Sequence, residues 1–365
     1  MNIAIVFGGK SVEHDVSIVT AKQIYNLCKN NYNVLLIYVN KNNELLNYTN
    51  LNFDFKDFKT TNNYFKQMYL QNGYANIKTT FAINKKVKID CAIMCTHGGN
   101  GENGTLASHF ISCKIPVTAG NSTALGISMN KWLSKQFFKA EKINYVKGFY
   151  ADTNSSLTTI DNQIKQSFDY PVIIKPNGGG SSIGIKIANN FEELKECLKV
   201  AFEFDYSVVV EKALTNFTEY NCAVFGDSEN FEISKIDQPL KNDQILSFKD
   251  KYLNGDKSKK GSMKTQKREY PVLDQSLKQK IEEYSAKIFK NLGFYGVVRI
   301  DYMYQPKLKK LYVNEINAIP GSLANYFFID NKLRANMFID KLISIGIKNY
   351  NKMFNLNQNY ITNLF

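Results

Sequence analysis

Two β-branched segments near the C-terminus, joined by a short polar link, constrain the fold of this chain more than any other feature. The first runs from Tyr295 to Met303 and contains Arg299-Ile300-Asp301; the second runs from Lys310 to Asn317 and continues into Ala318-Ile319-Pro320-Gly321. The link from Gln305 to Lys309 reads as a hairpin loop, so the two segments are predicted to pair as antiparallel strands. Side chains two apart on a strand share a face. Arg299 and Asp301 therefore point one way on the first strand, and Glu315 and Asn317 share a face on the second. In register, the ribbon gathers two carboxylates, an amide oxygen and a guanidinium on one surface. Hard oxygen donors of this kind suit Mg²⁺, which usually keeps water and substrate phosphate among its ligands. A glycine at 321 lets backbone N–H groups approach a reacting oxyanion. An ordinary surface hairpin with a charged wet face would read the same way on this segment alone.

At 365 residues the chain is too long for one modest core, and two or three domains are expected. No stretch approaches the roughly 20 apolar residues of a membrane span. The start, Met1 to Gly9, has neither a basic leader nor a cleavage site and reads as a first strand rather than a signal peptide. Cys28, Cys91, Cys95, Cys113, Cys197 and Cys222 are scattered through apolar or helical contexts, as free thiols in a reducing compartment would be. The formal net charge is +13, which raises the question of a polyanionic partner. Nucleic acid is not expected, because the lysines are spread along the chain with no aromatic-interleaved basic stripe. The single dense basic cluster runs from Lys249 to Arg268.

Strands and helices alternate along the first part. Residues 2–8 form an apolar strand ending in Gly8-Gly9, residues 17–28 an amphipathic helix, and residues 34–39 a second strand. Ser11 could cap that helix if it starts early. Residues 41–85, rich in Asn, Lys and aromatics, are taken as a variable insertion with short strands. A buried strand at 90–95 leads into a glycine loop and a helix from about Thr105. This alternation argues for a parallel α/β unit with ligands beyond the strand C-termini. A second unit begins near Asn121, with a helix over 128–140, strands at 171–175 and 182–188, a helix over 191–202, and a strand at 207–214 leading to a hinge. A third runs from about 216 to the end, with helices at 275–292 and 333–347 and a tail over 351–365.

Four further motifs carry chemistry. Lys175 is followed by Pro176, Asn177, three glycines and Ser181-Ser182. The lysine precedes the glycines, so this is not a P-loop. It reads as a hairpin whose tip closes over phosphates, although a plain glycine-rich hairpin is the simpler alternative. The strand Val208 to Glu211 ends in an acid next to the hinge, where backbone groups could meet an adenine ring; a plain strand end also explains it. His97 and Glu102 lie in a glycine loop at a strand end, the place for a substrate. Glu13 lies in the turn after the first strand, where favourable charge at a helix start would explain it as well as a substrate ammonium does.

Together these motifs resemble those of the D-alanine–D-alanine ligases of the ATP-grasp superfamily, in the same order and over nearly the whole chain apart from 41–85 and the tail. The resemblance implies an α/β, ATP-grasp fold of three domains: an N-terminal parallel α/β substrate domain (1–120), a central subdomain (121–215) and a C-terminal catalytic domain (216–365), the last two α+β and sandwiching ATP. It implies ATP-dependent joining of two D-alanines through an acyl phosphate, for peptidoglycan precursor synthesis, with two Mg²⁺ or Mn²⁺, in a cytoplasmic homodimer with no membrane or nucleic-acid partner. The residues it matches as catalytic are Glu13, Ser181 and Tyr252, a set that ties two loops over the substrates, with Arg299 and Gly321 at the oxyanion. His97, Glu102, Lys251, Ser322 and Tyr326 fall at substrate positions. Lys131, in Met129-Asn130-Lys131, would contact ATP phosphates with Lys175, Gly179, Gly180 and Ser182. Glu211, Lys212 and Leu214 would take the adenine, with Glu219 near the ribose, and Asp301, Glu315 and Asn317 the metals. Two positions depart from the family pattern: Asn130 replaces the usual Asp, and Tyr326-Phe327 stands where many relatives have Ser-Leu for the second substrate's carboxylate. That leaves a ligase for D-serine or another amino acid as the alternative substrate reading, and a basic nucleotide- or nucleic-acid-binding protein as the non-enzymatic one.

Overall fold

A computed structural model of the chain describes residues 1–59, 63–79, 84–239, 268–329 and 332–356. The first unit is built on β1 (Asn2–Gly8), α1 (His14–Cys28), β2 (Asn33–Val39), β3 (Leu45–Tyr48), β4 (Phe65–Gln71), β5 (Tyr74–Lys78), β6 (Asn84–Lys88) and β7 (Cys91–Met94). The strands form one seven-stranded sheet in the order β6-β5-β4-β3-β2-β1-β7. Its β2-β1-β7 end is parallel, as the strand–helix alternation requires. The segment expected to be an insertion turns out to extend this same sheet with antiparallel strands. What anchors it is aromatic: Phe7 of β1 meets Tyr38, Tyr48, Phe53 and Phe58 with ring centroids 5.2–6.3 Å apart. Helix α1 starts at His14 rather than Ser17, and Ser11 does not cap it. The Ser11 hydroxyl accepts instead from the Glu13 N–H at 3.0 Å, which folds the turn back on itself.

After β7 the chain makes a single helical turn, α2 (Gly99–Glu102), inside the expected glycine loop, then α3 (Thr105–Ser112). The helix expected over 128–140 is two helices, α4 (Ser122–Met129) and α5 (Lys131–Ala140). Asn130 between them is extended, and its side chain accepts from the Leu133 N–H, so it ends one helix and caps the next. An aspartate would cap equally well, so the substitution costs this junction nothing.

The second sheet holds β8 (Gly148–Asp152), β9 (Val172–Pro176), β10 (Lys186–Ala188) and β11 (Ser207–Lys212), in the order β10-β9-β11-β8 and wholly antiparallel. Helices α6 (Leu157–Ser167) and α7 (Phe191–Phe202) cover it and close a separate apolar core around Ile160, Ile174, Leu194 and Val210. The strand expected over 182–188 is only three residues long, because Ser181 (φ 52) and Ser182 (φ 59) turn in the left-handed region before it.

The third sheet carries β12 (Thr218–Gly226), β13 (Phe231–Ile233), and, beyond a two-residue ladder of β14 (Gln238–Pro239) with β15 (Arg268–Glu269), the predicted ribbon β16 (Gly296–Gln305) and β17 (Lys310–Asn317). Its order is β13-β12-β16-β17. Helices α8 (Gln275–Asn291) and α9 (Lys332–Phe354) complete the unit. Helix α9 buries Phe338, Ile339, Leu342 and Ile343 in a core shared by the first and third sheets. Tyr32 donates to Asp340, and Asn31 to Asn336 at 3.0 Å, so α9 ties the C-terminal unit to the N-terminal one. Among the described residues no helix is long and apolar enough to cross a membrane, and all six cysteines are free thiols.

Candidate active site

The ribbon pairs in the predicted register, with Arg299 opposite Asn317 and Asp301 opposite Glu315. One irregularity follows at once: the next pair is Tyr302 with Val313, which leaves Asn314 as an extra residue. A bulge of this kind re-aims a side chain. It turns Asn314 toward Lys175, whose ammonium donates to Oδ1 at 3.3 Å. Arg299 grips Asp301 with two bonds, Nε to Oδ1 at 2.7 Å and a terminal nitrogen to Oδ2 at 2.8 Å. Burial alone would lower the pKa of Arg299, but Asp301 and Tyr326 outweigh it and push it well above the usual value. The Asn317 amide nitrogen leans on the Arg299 carbonyl at 3.4 Å, which leaves its oxygen end for another partner. Among the described residues no three His, Cys, Asp or Glu side chains cluster as a metal site. The ribbon's two carboxylates and one amide oxygen are therefore the candidate donors. Their chemistry fits a hard divalent cation that takes its remaining ligands from water and phosphate. A carboxylate has about four lone-pair sites, so Asp301 retains acceptor capacity beside its two bonds to Arg299.

Facing the ribbon is a small chamber lined by Glu13, His97, Glu102, Lys131, Gly179, Gly180, Ser181, Arg299, Glu315, Asn317 and Gly321 among others. Three parts of the chain that lie far apart in sequence meet at it. Ser181 donates a hydrogen bond to Glu13 Oε1, which draws the glycine loop onto the first unit, and Lys131 of α5 holds the loop by donating to the Gly179 carbonyl. The approach needs two glycines. A Cβ on Gly180 would stand 2.6 Å from Glu13 Oε2, and one on Gly98 would stand 2.8 Å from the same oxygen. The loop's base is pinned as well: Asn177 accepts from Trp132 N–H at 2.9 Å, and Asp205 accepts from Gly178 N–H at 2.6 Å.

Behind the loop, Glu211 is buried between two lysines, Lys135 at 3.0 Å and Lys175 at 2.9 Å. Burial alone would raise the Glu211 carboxyl; the two ammoniums more than cancel it and hold it below the usual carboxylate range. Lys135 is itself lowered by burial, which Glu211 partly offsets, and it donates to the Val146 carbonyl at 2.8 Å. The Glu211 side chain is thus occupied by this triad. A cavity of about 290 Å³ opens beside it, with Val146, Ile173, Ile187, Leu214, Phe217 and Met303 as apolar walls and Lys175, Glu211 and Lys212 at its edge. Apolar walls with a few polar groups at one end are what a flat heteroaromatic ligand requires. Glu219 lies outside that lining, on β12 opposite Met303.

His97 and Glu102 grip one residue, Ile319, through the peptides on either side of it. His97 Nδ1 faces the Ile319 carbonyl at 2.8 Å, and Glu102 Oε1 accepts from the Ile319 N–H at 3.2 Å. The other ends are also held, His97 Nε2 by the Thr20 hydroxyl at 2.8 Å and Glu102 Oε2 by the Gly98 N–H at 2.9 Å. Burial pulls His97 down to about 4. Burial, followed by repulsion from Glu13, pushes Glu102 up to about 7. The segment they hold is unusual: Ser322, Leu323 and Ala324 have φ of 55°, 50° and 46°. Left-handed L-residues cost about 1–2 kcal/mol each, so surrounding contacts must hold this turn in place. Tyr326 follows beside Arg299, whose pKa it raises.

The residues brought together at the chamber and cavity therefore include most of those marked by motif. Lys251 and Tyr252 lie outside the described residues. Sequence reasoning missed Lys135, Asn314, Thr20, Asn177 and Asp205. Lys135 carried a usable signal, since it stands four residues after Lys131 and so shares its helix face; the others had none.

Comparison with known proteins agrees in extent and order. Residues 2–120 match the family model described as D-ala D-ala ligase N-terminus, and residues 139–345 match D-ala D-ala ligase C-terminus. A D-alanine–D-alanine ligase of Thermosipho africanus is 35% identical, the match covering 100% of this chain and 98% of the relative. The crystal structure of D-alanine–D-alanine ligase from Helicobacter pylori superposes with a TM-score of 0.76 at 26% identity, over 94% of this chain and 98% of that one. That of the VanG D-Ala:D-Ser ligase from Enterococcus faecalis gives 0.74 at 25% identity, over 96% and 99%.

Proposed function

The chain belongs to the D-alanine–D-alanine ligase family, and on that premise we propose that it joins two D-alanines at the cost of ATP, supplying the dipeptide for peptidoglycan precursors. The observation that carries this reading is the convergence of Glu13, Lys131, Ser181, Arg299 and Glu315 on one chamber, beside an apolar-walled cavity of about 290 Å³ that we assign to adenine. ATP lies with its base between β9 and the Lys212–Phe217 hinge and its phosphates under the glycine loop. Lys131 and Lys175 leave their present partners for phosphate oxygens, and Lys135 keeps Glu211 neutralised as Lys175 does so. Asp301, Glu315 and Asn317 would hold the divalent cations, two Mg²⁺ or Mn²⁺ in this reading, whose charge would offset that of the phosphates.

The first D-alanine rests its ammonium against Glu13. Its carboxylate attacks the γ-phosphate, ADP leaves, and an acyl phosphate forms. The amine of the second D-alanine then attacks the acyl carbon, loses a proton, and phosphate departs. Arg299 and the Gly321 N–H face the oxyanion of that tetrahedral species. Ser181, bonded to Glu13, keeps the glycine loop shut, and water must be excluded or the acyl phosphate hydrolyses; Tyr252, outside the described residues, is assigned to the same set with Glu13 and Ser181, and Lys251, also outside them, to the substrate. Ser322 and Tyr326 take the second substrate's carboxylate in place of the Ser-Leu pair of many relatives. Domain limits at 1–120, 121–215 and 216–365, a homodimer and a cytoplasmic location belong to the same proposal. A phosphate-release assay with ATP, Mg²⁺ and a panel of D- and L-amino acids, with mass spectrometry of the product, tests it. D-alanine alone should support turnover and yield D-alanyl-D-alanine. A mixed product with D-serine, at rates above those with D-alanine alone, would reassign the second substrate.

A further inference from the structure

Thr20 sits on α1 with no solvent exposure, and it does not line the chamber. Its hydroxyl nevertheless makes two bonds toward the C-terminal unit's reactive turn. The polarity of both is forced. A carbonyl only accepts, so His97 Nδ1 must carry the hydrogen that meets Ile319 O at 2.8 Å. A buried neutral imidazole then has a bare Nε2, and Thr20 must donate to it across 2.8 Å. The lone pairs of Thr20 Oγ1 remain, and the Ser322 N–H donates to them at 3.1 Å. That N–H belongs to the peptide joining Gly321 to Ser322, where the run of three left-handed residues begins. Inside this turn the Leu323 N–H reaches back to the Pro320 carbonyl at 2.8 Å. Each donor in this relay from the Ile319 carbonyl to the Ser322 N–H therefore has one acceptor, and Thr20 is the joint between its two halves.

We propose that Thr20 is a positioning residue: its hydroxyl fixes the Gly321–Ser322 peptide, and so sets where the Gly321 N–H stands relative to the oxyanion. This rests on the ligase reading above. Without the hydroxyl, the part-buried Ser322 N–H loses its acceptor, His97 loses one of its two hydrogen bonds, and the strained turn relaxes toward ordinary φ. Phosphoryl transfer to the first D-alanine uses the lysines and the glycine loop and is less affected. Attack by the second amine, which needs the oxyanion donor, suffers most. The acyl phosphate then waits longer and is lost to water more often.

The test compares wild type with Thr20→Val and Thr20→Ser, measuring kcat, KM for ATP, thermal midpoint and the ratio of phosphate released to dipeptide formed. Thr20→Val should lower kcat about ten- to hundredfold, leave KM for ATP within about twofold, and raise the phosphate-to-dipeptide ratio above its wild-type value. Thr20→Ser, which keeps the hydroxyl, should restore both rate and ratio. If Thr20→Val does not fold, Thr20→Ala takes its place with the same expectations. Wild-type rate and coupling in the valine or alanine variant, or a serine variant as impaired as valine, would overturn the proposal while leaving the ligase reading intact. Wild-type protein that releases no D-alanine-dependent phosphate would overturn that reading, and this inference with it.

Discussion

Replacing Glu102 with glutamine should tilt the pH dependence of stability, because Glu102 and His97 hold the same residue, Ile319, and titrate in opposite senses. Glu102 is raised from 4.5 to about 7 in the fold. The native state therefore holds more protons than the unfolded one between those values. Its contribution is fully present below pH 4.5 and is lost as pH rises through 7. His97 is lowered from 6.5 to about 4. The native state there holds fewer protons, so its contribution is complete above 6.5 and is lost as pH falls through 4. Between about pH 4.5 and 6.5 the two slopes cancel, and wild type conceals both. Glutamine removes the first. At 1.36 kcal/mol per pH unit, the stability of the variant relative to wild type should climb by about 3 kcal/mol from pH 4.5 to 7. With an unfolding entropy of about 2.1 cal/mol/K per residue, that corresponds to a climb of about 4 °C in the Tm difference. Paired thermal scans at one heating rate, read as variant minus wild type, cancel the titrating groups that do not interact with Glu102, leaving its own titration with that of Glu13 and Glu315 beside it. His97→Asn should give the mirror image, its midpoint difference rising as pH falls from 6.5 to 4. A flat difference for Glu102→Gln across that range would refute the assignment of a raised, buried carboxyl at this position.

Lys135→Met should leave Glu211 buried with Lys175 as its one remaining ammonium and destabilise the protein by about 3 kcal/mol, lowering the thermal midpoint by about 4 °C; a change under about 1 °C would show that Lys135 does not neutralise Glu211. Gly180→Ala should cost about a hundredfold in D-alanine-dependent phosphate release, because the added Cβ would stand 2.6 Å from Glu13 Oε2 and push the loop off the substrate; wild-type rates would mean that the loop works without touching Glu13. Glu315→Gln should abolish that phosphate release, and undiminished turnover would remove Glu315 from the metal site.

How legible all this was in the sequence depended on the range of the interaction. The ribbon could be read because strand pairing follows from period-two patterning and a loop of the right length, and its register then put Asp301 opposite Glu315. The break at Asn130 could not, since residues on both sides have helical character and the cap exists only once Asn130 becomes extended. The short strands of 41–85 were expected, but not their place in the first sheet, because the aromatics that anchor the stretch bury against Phe7, far away in sequence. At the site, residues carrying a motif were visible one by one. Thr20 was not, because its meaning lies in a bond to Ser322, 302 residues later. Asn314 was missed for a different reason: strict alternation points it away from Glu315, and only the bulge brings it toward Lys175.

Ligation by this route requires a carboxylate oxygen of the first D-alanine to become bonded to phosphorus. D-alanine carrying ¹⁸O in both carboxylate positions, incubated with ATP and Mg²⁺, tests this directly when the released phosphate is analysed by mass spectrometry. Each phosphate should contain one ¹⁸O atom, the partner oxygen remaining in the new peptide carbonyl. Phosphate free of label, alongside dipeptide formation, would contradict the acyl-phosphate route and, with it, the roles of the ribbon and the glycine loop.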